Sequence, residues 1–165
     1  MLSRRQVLKG MALGGPPAVT RFARALGDDV TRLGRTEPSL NAATPGDARD
    51  TTSPQAMLGD LHALLLGDAL SPAARAQLLA WMLASQTGAQ LLRAGFPATW
   101  QVGDKSGAGE HGARNDVAIA TSPRRAPMLV AAYLTVATVP MPQRDTALAA
   151  VGHAIHQTVT GADIT

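Results

Sequence analysis

The chain has no cysteine among its 165 residues. That excludes a disulfide framework, a thiolate nucleophile and cysteine-ligated zinc, and it leaves the compartment open. Aromatics are nearly as scarce, with two Phe, two Trp and one Tyr, so any core must be built from Leu, Val, Ala, Met and Ile. Lysine occurs only at Lys9 and Lys105, and glutamate only at Glu37 and Glu110. No apolar run approaches the roughly 20 residues of a membrane-spanning helix. The longest candidate, APMLVAAYLTVATVP, is short and ends in proline. The net charge of +3 rests largely on 13 arginines scattered without runs or interleaved aromatics. That distribution argues against a nucleic-acid partner.

Apolar content of 45% is that of a globular chain. The opening residues, MLSRRQVLKG, read either as the start of a twin-arginine export signal or as an ordinary basic N-terminus. The next stretch, MALGGPPAV, is too short and too broken to be the apolar body of such a signal. Val19, Phe22, Ala23 and Leu26 then fall at i, i+3, i+4 and i+7 between a proline start and Gly27, which predicts a short amphipathic helix. Residues 28–53 keep no period and are rich in Pro, Gly, Asp, Asn and Thr; so long a loop is usually functional or disordered. Two Ser-Pro openings, at Ser53-Pro54 and Ser71-Pro72, start two further helices. Their predicted inward faces are Met57, Leu58, Leu61, Leu64 and Leu65, then Leu78, Leu79, Met82 and Leu83.

From about residue 98 the pattern turns to strands: TWQVGDKSGAG, RNDVAIATS and APMLVAAYLTVA. A last helix carries a stripe of Leu148, Val151, Ile155 and Val159. The predicted class is α+β: helices and a long loop, then three antiparallel strands, then a C-terminal helix. The strands are apolar at nearly every position and need cover on both faces. Only the last helix is an evident cover, so one face is expected to lack one.

Two stretches carry candidate chemistry. In DKSGAGEHGARND, residues 104–116, Lys105 and Arg114 offer charge, Ser106 a hydroxyl, and the glycines close backbone approach, which together suggest an anion-binding edge. In RLGRTEPSLN, residues 32–41, Glu37 is held just before Pro38. His153 and His156, at i and i+3, have no third partner at a sensible spacing for a metal; His62 and His111 stand alone. No metal and no cofactor is expected.

Together these stretches resemble the C-terminal part of a class A serine β-lactamase. The similarity runs from about Gly14 to about Val159, through RTEPSLN, PGDARDTTSP and GDKSGAGEHGARNDVAI. It implies that residues 14–165 form the C-terminal portion of such a catalytic domain, with residues 28–53 as its Ω loop and 1–13 outside it. It implies that Glu37 is the general base for the water that hydrolyses the acyl-enzyme, with Asn41 holding that water. Arg35 and Asp50 match the salt bridge that closes the loop's neck. Lys105, Ser106 and Gly107 match the strand that faces the substrate carboxylate, with Lys105 also in the proton network. Ala108 matches the oxyanion-hole N–H donor and Arg114 a carboxylate-binding arginine. The partners so implied are β-lactams, and the location periplasmic or secreted.

The family's nucleophile lies in S-x-x-K, one helical turn before its lysine. Gln6 stands three residues before Lys9 and Val102 three before Lys105, so the chain has no such motif, and it has no S-D-N. The expectation is a chain unable to turn over β-lactams alone, through an internal deletion or a mis-assigned start. A separate N-terminal fragment could complement it. The alternative is a non-catalytic module that binds a carboxylate through Lys105, Ser106 and Arg114.

Overall fold

Proline opens each of the first three helices, where its missing N–H falls on a position that has no helical partner. The structure is a computed structural model, and it describes residues 14–161. The basic start MLSRRQVLKG lies outside the described residues. Helix α1 spans Gly15–Ala25, α2 Pro54–Leu65 and α3 Pro72–Leu83. Ser53 caps α2 by accepting the Ala56 N–H at 3.1 Å, and Ser71 caps α3 by accepting the Ala74 N–H at 3.3 Å. Ser53→Ala removes an acceptor worth about 1 kcal/mol. It is expected to lower the thermal midpoint by roughly 2–4 °C in a melt followed by circular dichroism, and Ser53→Asp to restore it.

Strands β1 (Gln101–Ala108), β2 (Arg114–Thr121) and β3 (Met128–Leu134) form an antiparallel sheet in chain order, and α4 (Met141–Gly161) ends the described chain. The pairing is continuous, with Ser106 opposite Asp116 and Arg114 opposite Leu134. Side chains alternate across the sheet. One face gathers Val102, Ala118, Ala120, Val130 and Ala132 against Leu148 of α4 and Leu91, Leu92 and Phe96. The other presents Val117, Ile119 and Leu129 to Leu61 and Leu65 of α2 and Met82 of α3. The expectation of an uncovered face is therefore wrong. The two Ser-Pro helices cover it, because their apolar stripes find partners on the sheet roughly 50 residues downstream.

Two other expectations need correction. Val19 and Phe22 of α1 are each 49% exposed, and only Ala23 of the predicted stripe is buried. Val151 and Leu83 are also exposed. The segment before β1, which carries no clear period, supplies the most deeply buried side chains: Leu91 and Leu92 are inaccessible. They lead into a 3-10 turn, Leu92–Gly95, that lies directly on α4. Glycine makes this approach possible. A Cβ on Gly95 would sit 2.3 Å from the Ala149 carbonyl oxygen, and one on Gly152 would sit 2.3 Å from that of Leu92. Among the described residues no helix is long and apolar enough to cross a membrane.

Candidate active site

The long loop between α1 and α2 is closed at its base. The Arg32 N–H donates to the Thr51 carbonyl at 2.9 Å, and the hydroxyls of Thr31 and Thr52 meet at 2.7 Å. Just inside, one carboxylate gathers three donors. Asp50 Oδ1 accepts the N–H groups of Gly34 (2.7 Å) and Arg35 (2.9 Å), and Oδ2 accepts from the Arg35 guanidinium. Burial pushes the Asp50 carboxyl up, but Arg35 and the two backbone donors outweigh it and hold the group below the ordinary carboxylate value. Arg35 and Asp50, joined in the sequence only by a resemblance, are joined here by contact.

The loop's tip places Glu37 and Asn41 one turn apart. A 3-10 turn, Ser39–Ala42, follows Pro38. It brings the Asn41 amide to donate to Glu37 Oε2, while the Glu37 side chain stays exposed. The tip is seated on the β1–β2 hairpin. Glu110 N–H donates to the Asn41 carbonyl at 2.8 Å, and His111 Nδ1 donates to the Ala42 carbonyl at 2.9 Å. Gly109 permits the approach, since a Cβ there would lie 2.8 Å from the Asn41 carbonyl oxygen. Sequence reasoning assigns no part to His111 or to the backbone of Glu110. The only signal is their position in a glycine-rich turn.

On β1 the alternation of faces separates neighbours. Lys105 is exposed, and its ammonium donates to the Ser106 carbonyl at 2.5 Å. Ser106 is buried and donates to the Thr87 hydroxyl at 2.7 Å. Gly107 and Ala108 are exposed, and a Cβ on Gly107 would meet nothing within 4 Å. Arg114, opposite the end of this strand, is engaged within the chain. Its Nε donates to Asp145 Oδ1 at 2.7 Å and its Nη1 to the Gly107 carbonyl at 3.5 Å. Asp145, 31 residues downstream on α4, offers no sequence signal of this role.

Beneath the strand lies a second buried group. Asp104 accepts from the Arg93 guanidinium and from Ser85 Oγ at 3.1 Å. Asp116 accepts the Leu92 N–H at 3.1 Å through Oδ2, and its Oδ1 has no partner. Burial first, and the charge of Asp104 second, push the Asp116 carboxyl up to about 7.

The site thus joins Glu37 to Asn41, Arg35 to Asp50, Arg114 to Gly107, and the loop tip to the end of β1. No hydrogen bond links Glu37 to Lys105 among the described residues. His156 packs its ring against Trp100 at 5.6 Å, and no metal-binding cluster of His, Asp or Glu is present among the described residues.

Comparison with known proteins gives this arrangement a context. Residues 10–159 match the model of the β-lactamase enzyme family. The chain is 50% identical over 133 residues to β-lactamase OXY-1 of Klebsiella oxytoca, covering 81% of this chain and 44% of that protein. It is 52% identical over 133 residues to a β-lactamase of Citrobacter koseri, with the same coverage. Among solved structures, an ancestral (GNCA) class A β-lactamase superposes with a TM-score of 0.90 at 54% identity, over 92% of this chain and 58% of that one. The chain spans about half the length of the curated relatives it matches.

Proposed function

The chain belongs to the class A β-lactamase family, and from that premise we propose that it carries the deacylation and carboxylate-binding half of a β-lactam hydrolase. The observation that supports this best is the Asn41–Glu37 hydrogen bond, made on a loop tip seated at the end of the Lys-Ser-Gly strand. In this reading residues 28–53 are the counterpart of the family's Ω loop, and the location is periplasmic or secreted. Glu37 takes a proton from a water held by Asn41. The water attacks the ester carbonyl of a seryl acyl-enzyme, the serine oxygen leaves taking that proton back from Glu37, and the product carboxylic acid is released. The Ala108 N–H faces the carbonyl oxygen as negative charge gathers on it. Lys105 supplies the positive charge for the substrate carboxylate. Ser106 and Gly107 shape the strand edge beside it, and Arg114 takes part once it loosens from Asp145.

The acylating serine is not provided by any S-x-x-K in residues 1–165. Alone, the chain is therefore expected neither to form an acyl-enzyme nor to turn over. Intact-mass spectrometry after mixing with a penicillin should show an unchanged mass, and a chromogenic cephalosporin should stay uncleaved. A circular dichroism spectrum must show the same sample folded. A covalent adduct, or turnover abolished by Glu37→Ala, would overturn the proposal.

One observation favours a second reading as a non-catalytic carboxylate binder. The exposed Lys105 ammonium meets a carbonyl rather than an acid. Millimolar or tighter β-lactam binding without a mass change, lost in Lys105→Ala, would select it.

A further inference from the structure

Two buried acids outside the candidate site have no part in the chemistry proposed above. Asp28 stands where α1 gives way to the long loop, and Asp60 lies in α2, just beyond the loop's other end. Both are more than nine-tenths buried. Asp28 Oδ1 accepts the N–H groups of Val30 at 2.7 Å and Thr31 at 2.9 Å. Asp28 Oδ2 and Asp60 Oδ1 have no partner when both acids are written as carboxylates. Yet the two side chains lie within hydrogen-bonding reach of each other. Both border one cavity of about 450 Å³, together with Asp29, Val30, Ser53 and Gln55.

Two neighbouring buried carboxylates, each with an orphaned oxygen, repel strongly, and something positive between them removes the conflict. Among the described residues no cation forms an ion pair with either carboxylate. Arg24 donates to the Asp28 main-chain carbonyl, not to its side chain. From the sheet, Tyr133 of β3 feels Asp60. Burial first, and the Asp60 charge second, push that phenol up to about 12, so it stays neutral. Asp29 adds only negative charge at the cavity's edge.

We infer that Asp28 and Asp60 share one proton, and that this proton clasps the loop's entrance to helix α2 and is released as the pH rises. The two acids titrate as a pair. Burial, and then the charge of Asp28, push the Asp60 carboxyl up to about 6. Burial also pushes Asp28 up, but bonds from the Thr31 side chain and from the Thr31 and Val30 backbone outweigh it and hold the group low. The proton therefore belongs to Asp60 and the acceptor is Asp28. A carboxyl whose value is raised on folding stabilises fully below its ordinary value of 3.8, and that contribution is lost as the pH rises through about 6. The loop's entrance is tightest in mild acid.

The test uses the full chain and needs no β-lactam, so its outcome is independent of the function proposed above. Hydrogen–deuterium exchange of residues 28–34, corrected for intrinsic chemistry, is compared at about pH 5 and about pH 8. Wild type should lose protection by on the order of tenfold across that interval, the factor that one pKa unit represents. Asp60→Asn, whose amide donates to Asp28 at every pH, should stay protected at both. Parallel profiles for the two proteins would overturn the clasp. So would millimolar Ca²⁺ protecting wild type at about pH 8 while leaving Asp60→Asn unchanged, since a cation would then hold the place of the proton. Should Asp60→Asn fail to fold, infrared spectroscopy with both members of the pair intact decides the matter. The spectra are taken on Asp116→Asn, which removes the other carboxyl raised into this range; a protonated-carboxyl band that disappears there as the pH rises through about 6 supports the shared proton, and a band absent throughout overturns it.

Discussion

Gly95→Ala is expected to abolish the folded state. The added methyl would sit 2.3 Å from both the Ala149 carbonyl oxygen and the His153 nitrogen, and 2.6 Å from the Gly152 carbonyl carbon. All three are backbone atoms of α4, so no side-chain rotation relieves the contact. Over-filling a core with side chains alone costs about 1–3 kcal/mol. Here the helix itself must move away from Leu92 and Phe96, and the core on that face opens with it. Total stabilities of single domains are only about 5–15 kcal/mol. The expected result is a chain without a cooperative melt by circular dichroism and with an expanded profile on size exclusion. Gly59→Ala is the control. Its Cβ would meet nothing within 4 Å, and in the middle of α2 the exchange should stabilise by up to about 1 kcal/mol. A cooperative melt for Gly95→Ala near that of wild type would show that the turn and the helix are not packed backbone on backbone.

Asp50→Ala is expected to open the loop while leaving the sheet intact. The substitution strips one acceptor from two backbone N–H groups and a guanidinium at once. The Asp50 side chain is only 3% exposed. Removing one partner of such a buried pair costs about 3–5 kcal/mol, much of it the penalty of the charge left behind. The loss falls on the loop's neck, so trypsin should cut after Arg35 far faster than in wild type, with the fragments remaining associated. Asp50→Asn keeps an oxygen to accept the two backbone N–H groups and loses the charge, and should cleave at an intermediate rate. The pH dependence has a definite sign. A carboxyl held low in the folded chain stabilises above its ordinary value of 3.8, and that contribution disappears as the pH falls through its folded value. Equal cleavage of Asp50→Ala and wild type would mean that the neck is held by other contacts.

How far the sequence can be read depends on the range of the interaction. Ser-Pro openings and apolar strand runs are local and visible within a few residues, whereas Asn41, four residues from Glu37, is tied to it only through the resemblance. Arg35 and Asp50 are 15 residues apart in a segment with no period, so their pairing is legible only through family resemblance. Arg114 and Asp145 are 31 apart and match no expected motif, so their pairing cannot be seen in the sequence. The cover on the second sheet face escapes for a related reason. Helical periodicity shows that α2 and α3 have an apolar side, but not what that side meets. Leu91 and Leu92 are buried by tertiary contact with α4 and the sheet, and their short 3-10 turn has too few residues to show a period. The same gap hides Asp28 and Asp60. Each looks like an ordinary loop or helix acid until the fold brings the two together.

Strand β3 ends the sheet, and its residues, MLVAAYL, include no charge and no proline. Its pairing with β2 runs without a bulge. Those are the usual devices that keep one sheet's margin from joining another's. Among the described residues no strand pairs with the outer rim of β3, which there presents a row of backbone donors and acceptors flanked by apolar side chains. Independently of any activity, that margin can serve as a template for one more strand. In concentrated solution, these seven residues at the border of the sheet are where one copy is expected to add to another.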